Sequence, residues 1–309
     1  MKTAHHPSNQ PIQALHGVRI VSLALNLPGP AALMRLHAMG AQCTKVEGPA
    51  GDPMGHYNAA AYAQLHEGVQ HLTLDLKTAP HLAALHAQLA HTHILLTSFR
   101  PSALAKLGLD WENIQHAHPQ LSMVCIVGSP GSRAEEPGHD LTYLAEHGLV
   151  TGTELPATLY ADMAGSLLAV EAVLQAVLLQ RAQPGAPRAG SYHEVALASA
   201  AAYLALPRSW GLTQPSGAVG GAHAGYRIYP CQNGRVAVAA LEPHFAAALC
   251  RVAGIAPVER NTLLHSATHQ ALASFFAAHT CQQLTQLAAA HDIPLFCMPN
   301  TPVVPVDRT

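Results

Sequence analysis

The chain has 309 residues, of which 49% are hydrophobic and 11% are charged. The length predicts about two domains, and the composition excludes a disordered, polar-rich protein. The 16 Lys and Arg and the 18 Asp and Glu residues give a formal net charge of −2, without the basic excess expected of a nucleic-acid-binding protein. No apolar run reaches the roughly 18 residues of a membrane span, and residues 1–13 lack the apolar core of a signal peptide.

Strand and helix patterns alternate along the first half of the chain. Short apolar and β-branched runs predict strands, and the Ala- and Leu-rich stretches between them predict helices. The predicted strands are 18–24, 43–46, 71–76, 93–97 and 121–127, and the predicted helices are 31–39, 81–91, 101–106 and 110–118. This order predicts an α/β fold with a mostly parallel sheet and helices on both of its faces.

The second half begins with the longest predicted helix, Met163–Arg181, with Asp162 in the N-cap position. An Ala-rich stretch at 194–205 predicts another helix, and Asn233-Gly234 between two apolar runs predicts a β-hairpin. Further helices are expected after the hairpin. These patterns predict a large domain at 14–212, a Gly-rich linker at 213–225, a smaller α+β domain at 226–300 and a tail at 301–309.

The cysteines and histidines do not follow a recognised metal-binding spacing. The six cysteines include no Cys-x-x-Cys pair, so we expect buried free thiols in a cytoplasmic protein. His66-Glu67 resembles part of a zinc-protease motif, but His71 follows His66 by five positions where four would place both on one helical face. We therefore expect no metal ion. The glycine motifs of P-loop and dinucleotide-binding sites are missing as well.

Three ionisable residues occur where a strand ends or a helix begins. His139, in Gly138-His139-Asp140, follows the strand predicted at 121–127, and doubly wound sheets bind ligands outside the carboxyl ends of their strands. Asp162 is either a simple helix cap or a functional carboxylate. Glu242 follows the second strand of the hairpin, and by itself it is an ordinary carboxylate at the start of a helix.

A series of short motifs follows in order along roughly residues 15–300. The motifs are Leu15-His16-Gly17-Val18-Arg19-Ile20-Val21, Pro28-Gly29-Pro30, Gly40-Ala41, Lys45-Val46-Glu47, Leu74-Asp75-Leu76-Lys77, Arg100-Pro101, Leu107-Gly108-Leu109, Gly138-His139-Asp140, Asp162 and Asn233-Gly234. Together they resemble the family III CoA-transferases, a superfamily that also contains α-methylacyl-CoA racemase. The resemblance implies a Rossmann-like large domain, a small domain and two chains threaded through each other as an interlocked homodimer. It also implies an acyl-CoA thioester substrate, with coenzyme A as part of that substrate and no permanently bound cofactor.

The resemblance implies one of two reactions at the same aspartate. In the transferases, the carboxylate matching Asp162 attacks the thioester, and CoA passes through an enzyme-bound thioester to a second acid. In the racemases, the matching aspartate and a histidine, here His139, remove and return the α-proton on opposite faces. His139 and the segment Ala240-Leu241-Glu242-Pro243, whose glutamate matches one that supports the racemase histidine, favour racemisation of 2-methylacyl-CoA thioesters. Transfer of CoA stays open as the alternative.

The residues implied to contact coenzyme A are Arg100, Pro101, Gly29 and Glu47, with Arg100 as the candidate for the phosphate groups. Gly48 follows Glu47 where family members often have an arginine. The chain also ends before the segment with which relatives usually complete the large domain, and its spacing from His139 to Asp162 is shorter than in the racemases. These departures motivate a third hypothesis, a catalytically degenerate paralogue or partner subunit.

Overall fold

The structure, a computed structural model, describes residues 13–182, 189–256 and 261–300. The chain forms two compact units, which divide between Ala205 and Leu206. The tail expected at 301–309 lies outside the described residues, as does nearly all of the polar segment at the amino end. Each unit has its own hydrophobic core.

Strands and helices alternate along the larger unit, because each buried strand is followed by a helix that covers the sheet. In chain order its elements are β1 (Arg19–Ser22), α1 (Pro28–Ala38), β2 (Gln42–Glu47), α2 (Pro53–Tyr57), α3 (Ala59–Leu65), β3 (Gln70–Thr73), α4 (Ala79–Leu89), β4 (Ile94–Thr97), α5 (Pro101–Leu107), α6 (Trp111–Ala117), β5 (Ser122–Val127), α7 (Asp140–Glu146), α8 (Tyr160–Arg181), β6 (Tyr192–Ala196) and α9 (Leu197–Leu204).

These six strands form one parallel sheet in the order β3-β2-β1-β4-β5-β6. The central strands β4 and β5 are buried along their whole length, as apolar runs predict for a sheet covered on both faces. One face packs against helices including α1 and α8, through Leu33 and Val173. The other packs against α4 and α6, through Leu85 and Ile114. The predicted parallel sheet with helices on both faces is confirmed.

Several predicted boundaries in this unit are wrong, including the start of α1 and the segment around Tyr192. Helix α1 begins at Pro28 rather than at residue 31, because proline has a fixed φ that suits the first helical position. Tyr192–Ala196, which overlaps the helix predicted at 194–205, is instead strand β6, paired in parallel with β5. The helix of that region, α9, begins only at Leu197. Pairing with a distant strand therefore overrides the local helical preference of this segment.

The second unit is an antiparallel sheet with helices. Asn233 lies in the turn of the predicted hairpin, which is confirmed, and a third strand that the sequence pattern does not predict pairs with its second strand. The sheet order is β7-β8-β9. The elements are α10 (Leu206–Ser209), β7 (Tyr226–Cys231), β8 (Gly234–Ala239), α11 (Pro243–Val252), α12 (Ser266–Ala277), α13 (Cys281–His291) and β9 (Leu295–Pro299).

Helix α8 is the one helix among the described residues that is long and apolar enough to cross a membrane. Length and composition alone are weak evidence, because the central helix of a folded core has the same properties. Ala169, Val173 and Ala176 of α8 are completely buried in the core of the larger unit. We therefore interpret α8 as a core helix, whose apolar composition is explained by its packing against the sheet.

Candidate active site

The parallel sheet brings the residues that follow its strands to one edge. The chain order reverses between β1 and β4, the position where doubly wound sheets bind ligands. Gln180, near the carboxyl end of α8, donates through Nε2 to the Gln120 carbonyl and to Ser122 Oγ, at the amino end of β5. The amino end of α8, which carries Asp162, is therefore at the carboxyl edge of the sheet.

A buried ion pair connects the loops that follow β1 and β2. The Lys45 side chain is fully buried, and its Nζ donates to Asp52 Oδ2 at 2.8 Å and to the Ala24 carbonyl at 2.6 Å. The Asp52 carboxylate also accepts from the backbone N–H groups of Asn26 and Met54. Asn26 has a φ of 63°, in the left-handed region that asparagine tolerates better than most residues. These contacts fix the loop that enters α1.

Glu47 lies beside this ion pair. Its carboxylate accepts from the Tyr62 hydroxyl at 2.7 Å and lies 3.7 Å from Lys45 Nζ. Glu47, Asp52 and His66 offer three ligand atoms within 4.8 Å of one another, a set able to hold a cation. The Lys45 ammonium already supplies a positive charge to two of these carboxylates. Glu47 therefore has a structural role whether or not it contacts a ligand.

Arg100 and Pro101 begin α5 directly after β4. Arg100 is the exposed N-cap residue, and Pro101 occupies the first helical position. The Glu135 carboxylate accepts from the Ser102 backbone N–H at 2.6 Å and from the Ser102 hydroxyl at 2.9 Å. The pKa of Glu135 is held below its usual range, first by the backbone hydrogen bond from Ser102, then by the Ser102 hydroxyl and by the charge of Arg100. The start of α5 thus stabilises the Glu135 carboxylate, and the exposed Arg100 is available to a second anionic group.

Gly29 lies in the buried first turn of α1. A Cβ at this position would lie 2.2 Å from the Cβ of Ala24, far inside van der Waals contact. Only glycine allows α1 to start this close to the end of β1. The packing of the fold thus requires Gly29, independently of any contact with coenzyme A.

Asp140 connects the segments that carry His139 and Asp162. His139 is the exposed N-cap residue of α7, and its N–H donates to Thr142 Oγ1 at 3.1 Å. Asp140 is 4% exposed, and its Oδ1 accepts from the Asp162 backbone N–H at 3.0 Å. The prediction that Asp162 is an N-cap is wrong, because α8 begins at Tyr160, three residues before the predicted start, with Leu159 as its N-cap. Asp140 satisfies one of the free N–H groups of the first turn of α8.

The surroundings of Asp162 raise the pKa of its carboxyl from 3.8 to about 6. Burial is the largest cause, the negative charge of Asp140 is the second, and His139 acts in the opposite direction. The pKa of the Tyr143 phenol is raised by burial and then by Asp162, and the charge of Arg100 lowers it. A carboxyl that gains and loses a proton near neutral pH is suited to general acid–base chemistry.

Glu242 lies in the second unit, where it is the N-cap residue of α11. Its side chain is exposed and makes no capping hydrogen bond. Its backbone is extended, with φ −68° and ψ 143°, as is usual for a residue before a helix that begins with proline. The local structure thus leaves the Glu242 carboxylate available to solvent.

Sequence reasoning misses three buried charged residues of the larger unit: Lys45, Asp52 and Asp140. Two signals were present in the sequence. Lys45 is the one charged residue of the strand predicted at 43–46, which indicates a buried charge with a partner, and Asp140 directly follows His139 in the Gly-His-Asp motif. The partners of these residues depend on loops and helix starts that no local pattern predicts.

Asp140→Asn is expected to lower the pKa of the Asp162 carboxyl. The substitution removes the neighbouring negative charge, while the amide oxygen can still accept from the Asp162 N–H. The measurement is the titration of the Asp162 side-chain carbon by ¹³C NMR, assigned with Asp162→Asn. Asp110→Asn, at the N-cap of α6, is the control and should leave this titration unchanged. An unchanged titration in Asp140→Asn would show that burial alone sets the Asp162 pKa.

The family model described as CoA-transferase family III matches residues 15–301. Alpha-methylacyl-CoA racemase of Mus musculus is 29% identical over 282 residues, covering 85% of this chain and 71% of the racemase. Cinnamoyl-CoA:phenyllactate CoA-transferase of Clostridium sporogenes is 34% identical over 151 residues, covering 44% of this chain and 36% of the transferase. The chain thus spans little more than a third of the length of that transferase.

The fold has a counterpart among solved structures. The crystal structure of a hypothetical protein from Mycobacterium tuberculosis superposes with a TM-score of 0.80, covering 94% of this chain and 85% of the other. The sequence identity is 22%, so the likeness concerns the fold alone.

Proposed function

Because the chain belongs to CoA-transferase family III, we propose that it acts on acyl-CoA thioesters and racemises 2-methylacyl-CoA by proton transfer between His139 and Asp162. The observation that carries the proposal is Asp162, whose backbone N–H donates to Asp140 at the start of α7 and whose carboxyl has a pKa raised to about 6. A carboxyl of this kind exchanges its proton near neutral pH, which suits acid–base catalysis better than permanent ionisation.

Racemisation requires a base and an acid on opposite faces of the α-carbon. One group, either ionised Asp162 or neutral His139, takes the α-proton, and the electron pair of the C–H bond moves onto the thioester carbonyl oxygen as an enolate. The other group, in its protonated form, delivers a proton to the opposite face. The carbon is inverted, and the two residues have exchanged their protonation states.

The remaining predicted residues have binding or positioning roles in this proposal. Arg100, exposed at the start of α5, would pair with the phosphate groups of coenzyme A. Pro101, Gly29 and Glu47 would shape the neighbouring surface at the carboxyl edge of the sheet. The supporting role that the resemblance to the racemases implies for Glu242, exposed at the start of α11, stays a prediction.

CoA transfer is the second candidate, favoured by the match to a cinnamoyl-CoA:phenyllactate CoA-transferase. In this reaction the Asp162 carboxylate attacks the thioester carbonyl and expels the CoA thiolate, which leaves a mixed anhydride. The thiolate then attacks the aspartyl carbonyl and releases the first acid, giving an enzyme-bound CoA thioester. A second carboxylate attacks this thioester, expels the CoA thiolate and forms a second mixed anhydride with Asp162. The thiolate then attacks the acyl carbonyl of the second acid, which gives the new acyl-CoA and frees the Asp162 carboxylate.

Incubation with one enantiomer of a 2-methylacyl-CoA in D₂O distinguishes the two reactions. We expect the wild-type protein to incorporate deuterium at the α-carbon and to form the other enantiomer. His139→Ala and Asp162→Ala should each lose interconversion, because one face of the carbon then has no proton donor. His147→Ala, at the end of α7, is the control and should retain both signals.

The opposite results are equally specific. If no α-exchange is observed and hydroxylamine traps Asp162 after addition of acyl-CoA, CoA transfer would replace racemisation as the proposed reaction. Without either signal, and without a thermal shift on addition of coenzyme A, the chain would be a degenerate paralogue or partner subunit. The homodimer and the cytoplasmic location expected from the sequence stay predictions, and ultracentrifugation of the purified protein tests the first.

A further inference from the structure

Two cysteine thiols lie side by side in the second unit, outside the residues proposed for catalysis. Cys231 ends β7, Cys281 begins α13, and their Sγ atoms are 3.5 Å apart although 50 positions separate them in the chain. The sequence predicts scattered, buried thiols. All six cysteines are free, but Cys231 and Cys297 are only partly buried, and Cys231 and Cys281 form a pair.

The backbone around the two thiols holds them together. The Gln232 N–H donates to the His279 carbonyl at 3.0 Å, and Gln232 Nε2 donates to the Ala278 carbonyl at 2.9 Å. The Asn233 side-chain oxygen accepts from the Cys281 N–H at 2.8 Å. Three hydrogen bonds thus connect the β7–β8 turn to the segment that joins α12 to α13 and to the first residue of α13. They hold the backbones of the two cysteines next to each other, where the sulfurs lie 3.5 Å apart.

The surroundings also give the two thiols different access to solvent. Cys231 is partly exposed, whereas Cys281 is 6% exposed. Cys281 is the first residue of the 11-residue helix α13. Burial and then the neighbouring Cys281 raise the pKa of the Cys231 thiol, and the N–H groups of Asn233 and Gly234 act in the opposite direction. Cys231 is therefore the thiol that a solute can reach, and Cys281 is the buried thiol next to it.

We propose that Cys231 and Cys281 are an oxidation site that forms a reversible intramolecular disulfide with oxidants of the peroxide class. The Cys231 thiolate attacks one peroxide oxygen, an S–O bond forms as the O–O bond breaks, and the first water leaves after protonation. The Cys281 thiolate then attacks the sulfenic sulfur, an S–S bond forms, and the second water leaves. Two thiols and one hydrogen peroxide thus give one disulfide and two waters, and an added dithiol reverses the reaction.

The bond would close a loop that contains β8, α11 and α12. A crosslink over a segment of this length restricts the unfolded chain more than the folded one. The oxidised second unit should therefore unfold at a higher temperature than the reduced one. Cys297 is the nearest competitor in exposure, but it lies on β9 and pairs with Val236 of β8.

The test is peptide mapping of the full-length protein after hydrogen peroxide treatment and alkylation. Trypsin places Cys231 in the peptide 228–235, but it leaves Cys281 and Cys297 together in the peptide 261–308. The experiment therefore uses Cys297→Ser, in which a disulfide between these two peptides has only one assignment. We expect this crosslinked pair, lighter by the two thiol hydrogens, and its disappearance with dithiothreitol.

Cys281→Ser and Cys231→Ser are the matched variants. Each should lose the crosslink and the rise in unfolding temperature on oxidation. If a variant does not fold, the crosslink in the folded Cys297→Ser protein still decides the assignment. The proposal would be overturned if Cys231 and Cys281 were recovered alkylated or overoxidised without a crosslink, or if the wild-type crosslink persisted in Cys281→Ser.

Discussion

Asp162→Asn is expected to reduce catalysis by about 10³-fold, within the range measured for removal of a general acid–base group, and to stabilise the folded protein at neutral pH. The amide cannot take or give the proton in racemisation, and it cannot attack a thioester in CoA transfer. It keeps its backbone N–H, so the hydrogen bond to Asp140 remains. Activity assays and thermal unfolding of the same variant measure both effects.

The stability effect has a definite sign. Folding raises the pKa of Asp162 from 3.8 to about 6, so above pH 6 the folded state holds an ionised carboxylate that the unfolded state accommodates better. Asp162→Asn removes this cost, on the order of 3 kcal/mol at pH 7. As the pH falls from about 6 to below 4, the wild-type carboxyl is protonated and the gain should disappear. A gain that is the same at pH 4 and pH 7 would exclude ionisation as its cause.

Lys45→Met is expected to lower the free energy of unfolding by about 3–5 kcal/mol, the usual effect of removing one partner of a buried ion pair. Methionine fills a similar volume but leaves the Asp52 carboxylate buried without its cation. The Ala24 carbonyl loses a hydrogen bond as well. Urea unfolding followed by circular dichroism is the measurement.

Two further variants separate the charge effect from packing. Lys45→Met/Asp52→Asn should recover part of the loss, because the neutral amide can still accept from the Met54 N–H. Lys106→Met, at an exposed position of α5, should change stability by less than about 0.5 kcal/mol. If the double variant were as unstable as the sum of the two single variants, the ion pair would not be the source of the effect.

The sequence predicts the sheet well because burial on both faces leaves a local signature. The runs that became β4 and β5 are mostly apolar and are buried along their whole length, a pattern typical of the central strands of an α/β unit. The sequence does not predict two other strands, Tyr192–Ala196 and Leu295–Pro299, for the opposite reason. Both are edge strands of their sheets, defined by partners far away in the chain and without a regular alternation of their own.

The candidate site is predictable in part for a similar reason. His139, Asp162 and Arg100 follow strands or begin helices, and the parallel topology places such positions at one edge. The network around Lys45 and the contact between Asp140 and Asp162 depend on how separate loops meet. Neither periodicity nor motif spacing contains that information, so the origin of the Asp162 pKa shift emerges only from the structure.

The contact between Asp140 and Asp162 has a consequence for how this protein tolerates changes in length. Asp162 is positioned by Asp140 and by the packing of α8, and the connection between α7 and α8 is exposed throughout residues 151–155. Insertions or deletions there should leave the carboxyl in place, because loop length costs little when both ends are fixed. The connection is therefore a segment in which evolution or an engineer can remodel the rim of the site without moving its reactive group.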